Sequence, residues 1–202
     1  MTFEFFRNYL LSKGALTDEQ FDTVSHAIRE RTVAKGTVLL RQDEVCSEVY
    51  FVMEGLLRSY TVDDNGREHI IQFAPEDNWI SDRNSFLFGE PSLIFIDAIE
   101  ETKLVVLTVE FFREVSAFAS FNMFNTKALH NLVRMQQQRI SLLIGASAET
   151  RYLDFVERYP SLTLRVPQWM MASYLGITPE SLSRVRRDLA RRNFKPGSQS
   201  AE

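Results

Sequence analysis

One cysteine, Cys46, is all that 202 residues contain. That scarcity excludes a disulfide framework within the chain, and it excludes an iron–sulfur cluster, which takes about four thiolates. Histidine is sparse as well: His26, His69 and His130 lie far apart, without the spacing of metal ligands. No stretch approaches the roughly 18 apolar residues needed to cross a bilayer. The N-terminal segment Met1–Leu16 carries Glu4, Arg7 and Lys13, so it lacks the unbroken apolar core of a secretion signal. Internal repeats are missing, and low-complexity sequence is confined to the polar tail Lys195–Glu202. A soluble, cytoplasmic chain with no membrane, metal or cofactor requirement is the expectation.

What is present points elsewhere. A hydrophobic share of 45% is ample for a packed core. The formal net charge of −4 argues weakly against a polyanionic partner, but it is unevenly spread. Residues 1–146 hold 14 Lys and Arg against 21 Asp and Glu, whereas residues 147–202 hold 9 against 6. A basic end on an acidic body suits a nucleic-acid module attached to something else. A solvated basic helix would give the same balance.

Three regions follow from the patterning. Thr17-Asp-Glu-Gln20 reads as a capping box ahead of an apolar stripe, Phe21, Val24 and Ile28. From about Thr32 the chain turns to short β-rich runs: Val38–Leu40, Val49–Met53, Leu56–Val62, Ile70–Phe73, Leu93–Ile99 and Leu104–Val109. Asp63-Asp64-Asn65-Gly66 between two of them is a hairpin signal, because Asn-Gly readily takes positive φ angles. Strands at this spacing predict a β-sandwich or jelly roll. Strand signals then stop near Glu110. Asn122–Ala146 reads as one helix in which Phe121, Ala128, Met135 and Leu142 recur every seven residues with Leu132 beside them. Leu129, Val133, Ile140 and Leu143 lie on a neighbouring face, so the helix can serve its own domain and a second chain together. Asn125 and Arg139 break the heptad, which leaves an ordinary core helix as the other reading. Gly145-Ala-Ser-Ala148 offers a hinge before a helix over Glu149–Tyr159, closed by Pro160. The expected fold class is α+β: a jelly-roll sensor at 1–118, a dimerisation helix at 119–146 and a helix-turn-helix domain with a polar tail at 147–202.

Pro167–Leu189 carries the functional signal. Pro167 suits the first turn of a helix through Leu175, and Gly176 stops it. Thr178 caps a second helix, with Pro179 in its first turn and Glu180 at its positive end. A helix-turn-helix needs a small residue at the crossing, a glycine in the turn and two apolar residues on the second helix. Ala172, Gly176, Leu182 and Val185 meet those needs at the right spacing, with Met171, Leu175 and Ile177 in the other buried slots. On the second helix Leu182, Val185 and Leu189 share one side, and Glu180, Arg184, Arg187 and Arg191 share the opposite one. Set N-terminus first into a major groove, it brings Glu180 and Arg184 to the base edges, Arg as donor to guanine and Glu as acceptor from cytosine. Arg187 and Arg191 suit phosphates, and Gln168, Thr178, Ser181 and Ser183 are further candidates for the DNA backbone. Solvation, with cations favoured at a helix C-terminus, explains Arg191 and Arg192 equally well.

From about Val33 to Arg192 the chain resembles the Crp/Fnr family of bacterial regulators. Lys35-Gly36-Thr-Val-Leu39, Tyr50-Phe-Val-Met-Glu-Gly55, Asn65-Gly66-Arg-Glu68 and Phe73-Ala-Pro-Glu-Asp77 resemble its cyclic-nucleotide-binding jelly roll. Asn122–Ala146 stands where the family has its dimerisation helix. Gly176-Ile-Thr-Pro-Glu-Ser-Leu-Ser-Arg184 resembles its recognition helix, in which a Glu and an Arg four residues later read bases. Pro179 stands where some members have an arginine. Two departures matter. Cyclic-nucleotide binders present a Gly-Glu pair to the ribose and an arginine to the phosphate. Here the region reads Asn78-Trp-Ile-Ser-Asp82, with Arg83 too early and no Lys or Arg from Asn84 to Ile99. A buried cyclic phosphate without a cation is costly, so the expected effector is not a cyclic nucleotide. Trp79, Ser81, Asp82 and Arg83 are the candidate effector pocket, alternatively filled by Trp79 and the phenylalanines. After Arg192 the sequence has no strand pattern, so the family's wing hairpin is expected to be missing.

The resemblance implies a transcription regulator that binds double-stranded DNA as a homodimer, with RNA polymerase and a small-molecule effector as candidate partners. A cupin-type enzyme is the first rival, but it needs clustered His and carboxylate ligands, and His69 stands alone beside Glu68. The second is a ligand- or partner-sensing jelly-roll module without DNA binding. The sorted Glu180/Arg184 face speaks against it.

Overall fold

A computed structural model describes residues 2–193, and they divide into two compact units, one up to Gln136 and one from Gln137 onward. The first unit opens with α1 (Thr2–Ser12), α2 (Asp18–Val24) and a 3-10 turn at Ser25–Ala27. The capping box is formed: Thr17 Oγ1 accepts from the Gln20 amide, and the Gln20 side chain accepts from the Thr17 amide. The apolar stripe does not run on as a helix. Ile28 instead opens β1 (Ile28–Val33), where it pairs with Leu107, so strand pairing overrides the helical spacing.

Seven further strands follow: β2 (Val38–Leu40), β3 (Glu48–Glu54), β4 (Leu57–Val62), β5 (Glu68–Ala74), β6 (Trp79–Ile80), β7 (Phe95–Ala98) and β8 (Thr102–Thr108). They form two four-stranded antiparallel sheets, ordered β1-β8-β3-β6 and β2-β7-β4-β5. Except for the β4–β5 hairpin, consecutive strands lie in different sheets, as in a jelly roll. Between the sheets pack Val33, Leu40, Tyr50, Val52, Leu57, Ile80, Ile96, Ala98, Leu104 and Val106. Alternation along the strands turns Val49, Phe51, Val105 and Leu107 the other way. There they meet Phe6 and Leu10 of α1, Phe21 of α2, and Phe111 and Val115 of α4 (Val109–Val115). This outer layer is strongly aromatic, and such rings contribute packing beyond their area alone.

The β4–β5 hairpin forms as expected, but Asn65-Gly66 does not supply two positive φ angles. Only Gly66 takes a positive φ, and Asp63 Oδ1 accepts from the amides of Asn65 and Arg67. The Asp63 carboxylate therefore does the organising that sequence reading gave to Asn-Gly. On β4, Arg58 is buried and donates two hydrogen bonds to Asp97 of β7, at 2.7 and 2.9 Å, and a third to Glu68. Burial opposes the charge of Arg58, but the bonds to Asp97 and Glu68 outweigh it and hold its pKa above the ordinary arginine value.

The long helix α5 runs Ala119–Gly145. Phe121, read as a dimer contact, is buried in its own core against Phe111 and Phe112, so it is withdrawn from any partner. Ala128, Leu132, Met135 and Leu142 are half-buried, whereas Val133, Ile140 and Ile144 are exposed. The apolar stripe open to a partner thus lies on the face that sequence reading ranked second.

The second unit continues with α6 (Ala148–Arg158), α7 (Leu162–Arg165), α8 (Gln168–Leu175) and α9 (Pro179–Asn193). Ser147 caps α6 through the Thr150 amide, two residues after α5 ends. The short helix α7 was not foreseen. Among the described residues no helix is long and apolar enough to cross a membrane. The expectation of a missing wing falls on residues after 193, outside the described ones.

Candidate nucleic-acid interface

The helix-turn-helix forms where the spacing predicts it. Gly176 adopts a left-handed conformation (φ +64°), its amide bonds to Ser173 O, and the Ile177 amide bonds to Ala172 O. This is a Schellman ending, which a residue with Cβ enters only at a cost. Thr178 Oγ1 accepts from the Ser181 amide and starts α9. Met171, Ala172, Leu175 and Leu182 are buried at the crossing, and Val185 and Leu189 are half-buried beside them.

Two arginines to which sequence reading gave no part in the site fix α8 from behind. Arg151 of α6 donates to Leu175 O (3.1 Å) and to Ala146 O (3.1 Å). Arg139 donates to Tyr174 O (3.1 Å) and lies 4.1 Å from the centre of the Tyr174 ring. Both place positive charge at the carbonyl end of α8, where the helix dipole favours it. Arg139 therefore has a positive role where the heptad showed only a defect. A charged residue at an apolar position of the heptad was the available signal.

The opposite side of α9 is open. Glu180, Arg184, Arg187 and Arg191 are all exposed, in the order expected. Glu180's own backbone amide and the Thr178 hydroxyl hold its carboxyl below the usual glutamate pKa, so it is ionised and acceptor-only near neutrality. Four of the backbone-contact candidates, Gln168, Thr178, Ser181 and Ser183, are engaged within the motif. Gln168 donates to Pro179 O (3.0 Å) and to Ser183 Oγ, joining α8 to α9, while Ser181 is held by Thr178. Arg192 is ion-paired with Glu149 of α6 at 2.6 Å.

The four effector-pocket candidates do not converge. Trp79 points out of the roll into the aromatic layer, against Phe6, Tyr9, Phe51 and Phe124, and donates to Tyr9 Oη. Its register opposite Phe51 sends it to that face, while Ile80 turns inward. Asp82 instead caps α3 (Arg83–Phe88) through the Ser85 amide and accepts from the Ser92 hydroxyl at 2.8 Å. Ser85 Oγ accepts from the Cys46 amide and donates to Glu90 O. Ser81 and Arg83 are half-buried, and burial lowers the Arg83 pKa. Asp82, Ser85 and Ser92 are thus bonded to one another or to nearby backbone, beside an interior lined by Phe86 and Ile94. A cyclic nucleotide's phosphate needs a cationic partner, and Arg83 is the one cation among these four candidates.

Comparison with known proteins agrees with this geometry. Residues 30–117 match the cyclic nucleotide-binding domain family. An anaerobic regulatory protein from Aggregatibacter actinomycetemcomitans is 22% identical over 183 residues, covering 84% of this chain and 70% of that protein. The structure of FixK2 from Bradyrhizobium japonicum superposes with a TM-score of 0.73 at 19% identity, covering 86% of this chain and 89% of that one. A protein from Eubacterium rectale assigned to the crp/fnr transcriptional regulators gives 0.67 at 19% identity, covering 94% and 90%. With the jelly roll, the long helix and the helix-turn-helix in this order, the chain has the fold of the Crp/Fnr regulators, and its residues 30–117 are a cyclic nucleotide-binding domain by sequence.

Proposed function

We propose that the chain is a DNA-binding transcription regulator acting as a homodimer on a near-palindromic operator. One observation carries the reading: on α9 the side bearing Leu182 is clamped to α8, while Glu180 and Arg184, one turn apart near its N-terminus, are exposed. That is how a recognition helix presents base-reading side chains to a major groove. The regulator names of its relatives support the same conclusion. In this reading residues 1–118 sense, 119–146 pair two chains and 147–202 read DNA. Glu180 and Arg184 contact bases, and Arg187 and Arg191 contact phosphates. Val133, Ile140 and Ile144 of α5, seven and four residues apart, give the heptad spacing a helix pair needs. The effector, where one acts, is not a cyclic nucleotide. The break between Gly145 and Ala148 is the place at which sensing alters the spacing of two reading heads.

Selection of bound sequences from random duplexes tests this. The expected product is a two-fold symmetric site with half-sites about 10 base pairs apart, centre to centre. Failure to enrich any sequence would favour a sensing module without DNA binding.

A further inference from the structure

We propose that His26, Glu110 and Glu114 bind one first-row divalent metal ion. His26 is remote in sequence from the two glutamates, 88 residues from Glu114, yet the ligand atoms of all three lie within 4.8 Å of one another. His26 comes from the 3-10 turn after α2, and the two glutamates are one turn apart on α4.

The imidazole is prepared as a ligand. His26 Nδ1 lies 3.1 Å from Thr23 O, and a carbonyl only accepts, so Nδ1 carries a hydrogen. In the neutral ring this leaves the Nε2 lone pair facing Glu114 Oε1 at 3.1 Å. Two acceptors do not rest at that distance without a cation between them, either a proton on Nε2 or a metal ion. A backbone carbonyl on the far nitrogen is also the usual way a metal-binding histidine is oriented.

Two further features favour the metal. Glu114 Oε2 is buried and has no hydrogen-bond partner, so the carboxylate has an unmet demand that a bare His–Glu pair leaves open. The spacing also fits. Ligands about 2.0–2.2 Å from a tetrahedral ion stand about 3.3 Å apart, close to the Nε2–Oε1 separation already present. Glu110 is exposed and closes the remaining gap by a side-chain rotation. One imidazole nitrogen and two carboxylates suit zinc, nickel, iron(II) or manganese, and leave a position open for water. An ion there would staple the turn after α2 to α4, three residues before α5 begins.

The full chain, stripped with chelator, is titrated calorimetrically with Zn2+, and with Co2+ by visible absorption. One ion per chain is expected. His26→Ala and Glu110→Gln should each weaken binding at least about tenfold, and the rise in melting temperature that Zn2+ gives the parent chain should be lost in both. Both side chains are largely on the surface, so these variants keep the fold. His69→Ala, which removes the other histidine–carboxylate pair, should bind as the parent does. The proposal falls if no saturable binding occurs, if both variants bind unchanged, or if His69→Ala alone abolishes it.

Discussion

Gln168 of α8 holds Ser183 of α9: its side-chain amide donates to the Ser183 hydroxyl and, at 3.0 Å, to the carbonyl of Pro179. One side chain thereby ties the first turn of α8 to the first two turns of α9. The entry angle of the reading helix depends on that tie.

Replacing Gln168 by Ala should destabilise the chain by about 1 kcal/mol, the usual net worth of a hydrogen bond. DNA affinity should fall equally for all sequences. Urea unfolding and binding to two related sites check this. Unchanged stability with a shallower salt dependence would mean that Gln168 serves a phosphate instead.

Arg184→Ala should cost about 1–3 kcal/mol of binding and relax preference at one base pair in each half-site. Arg187→Ala should weaken all sites alike and reduce the logarithmic salt slope by about one. Titrations against single-base variants of the selected operator, at several salt concentrations, separate the two roles.

Asp97→Ala leaves the buried Arg58 without its two shortest bonds to β7. Breaking a buried pair from one side typically costs about 3–5 kcal/mol. The bond to Glu68 and the Tyr60 ring beneath the guanidinium should keep the loss near the lower end. Denaturant unfolding measures it, and a loss below about 1 kcal/mol would show that water reaches Arg58 freely.

Gly55→Ala should be severely destabilising. Gly55 has φ +100°, and an added Cβ would lie 2.5 Å from Glu101 O and 2.8 Å from Thr102 Cα, both backbone atoms. Conformational strain alone is about 1–3 kcal/mol, and the steric clash adds to it. Loss of the folded roll by circular dichroism, or a steep drop in melting temperature, is the expected readout.

Cyclic AMP and cyclic GMP at millimolar concentration should leave the melting temperature unchanged, because no binding to the folded state means no linkage. The bond between Asp82 and Ser92 is the reason: the groups flanking α3 are already satisfied. A rise of several degrees with either nucleotide would overturn this reading.

The sequence by itself determined the elements whose signals are local. The capping box at Thr17, the jelly-roll strands, the stop at Gly176 and the sorting of α9 into a Leu182 side and an Arg184 side all depend on residues within a turn or two of one another. Tertiary structure alone decided the rest, because it depended on partners far along the chain. Ile28 became a strand residue through pairing with Leu107, and Phe121 was claimed by Phe111 and Phe112 instead of by a second chain. Trp79 turned outward because pairing with Phe51 fixed its face, and Arg139 found Tyr174 at the end of α8. Periodicity tells which residues share a side of a helix or strand. Only packing tells what that side meets.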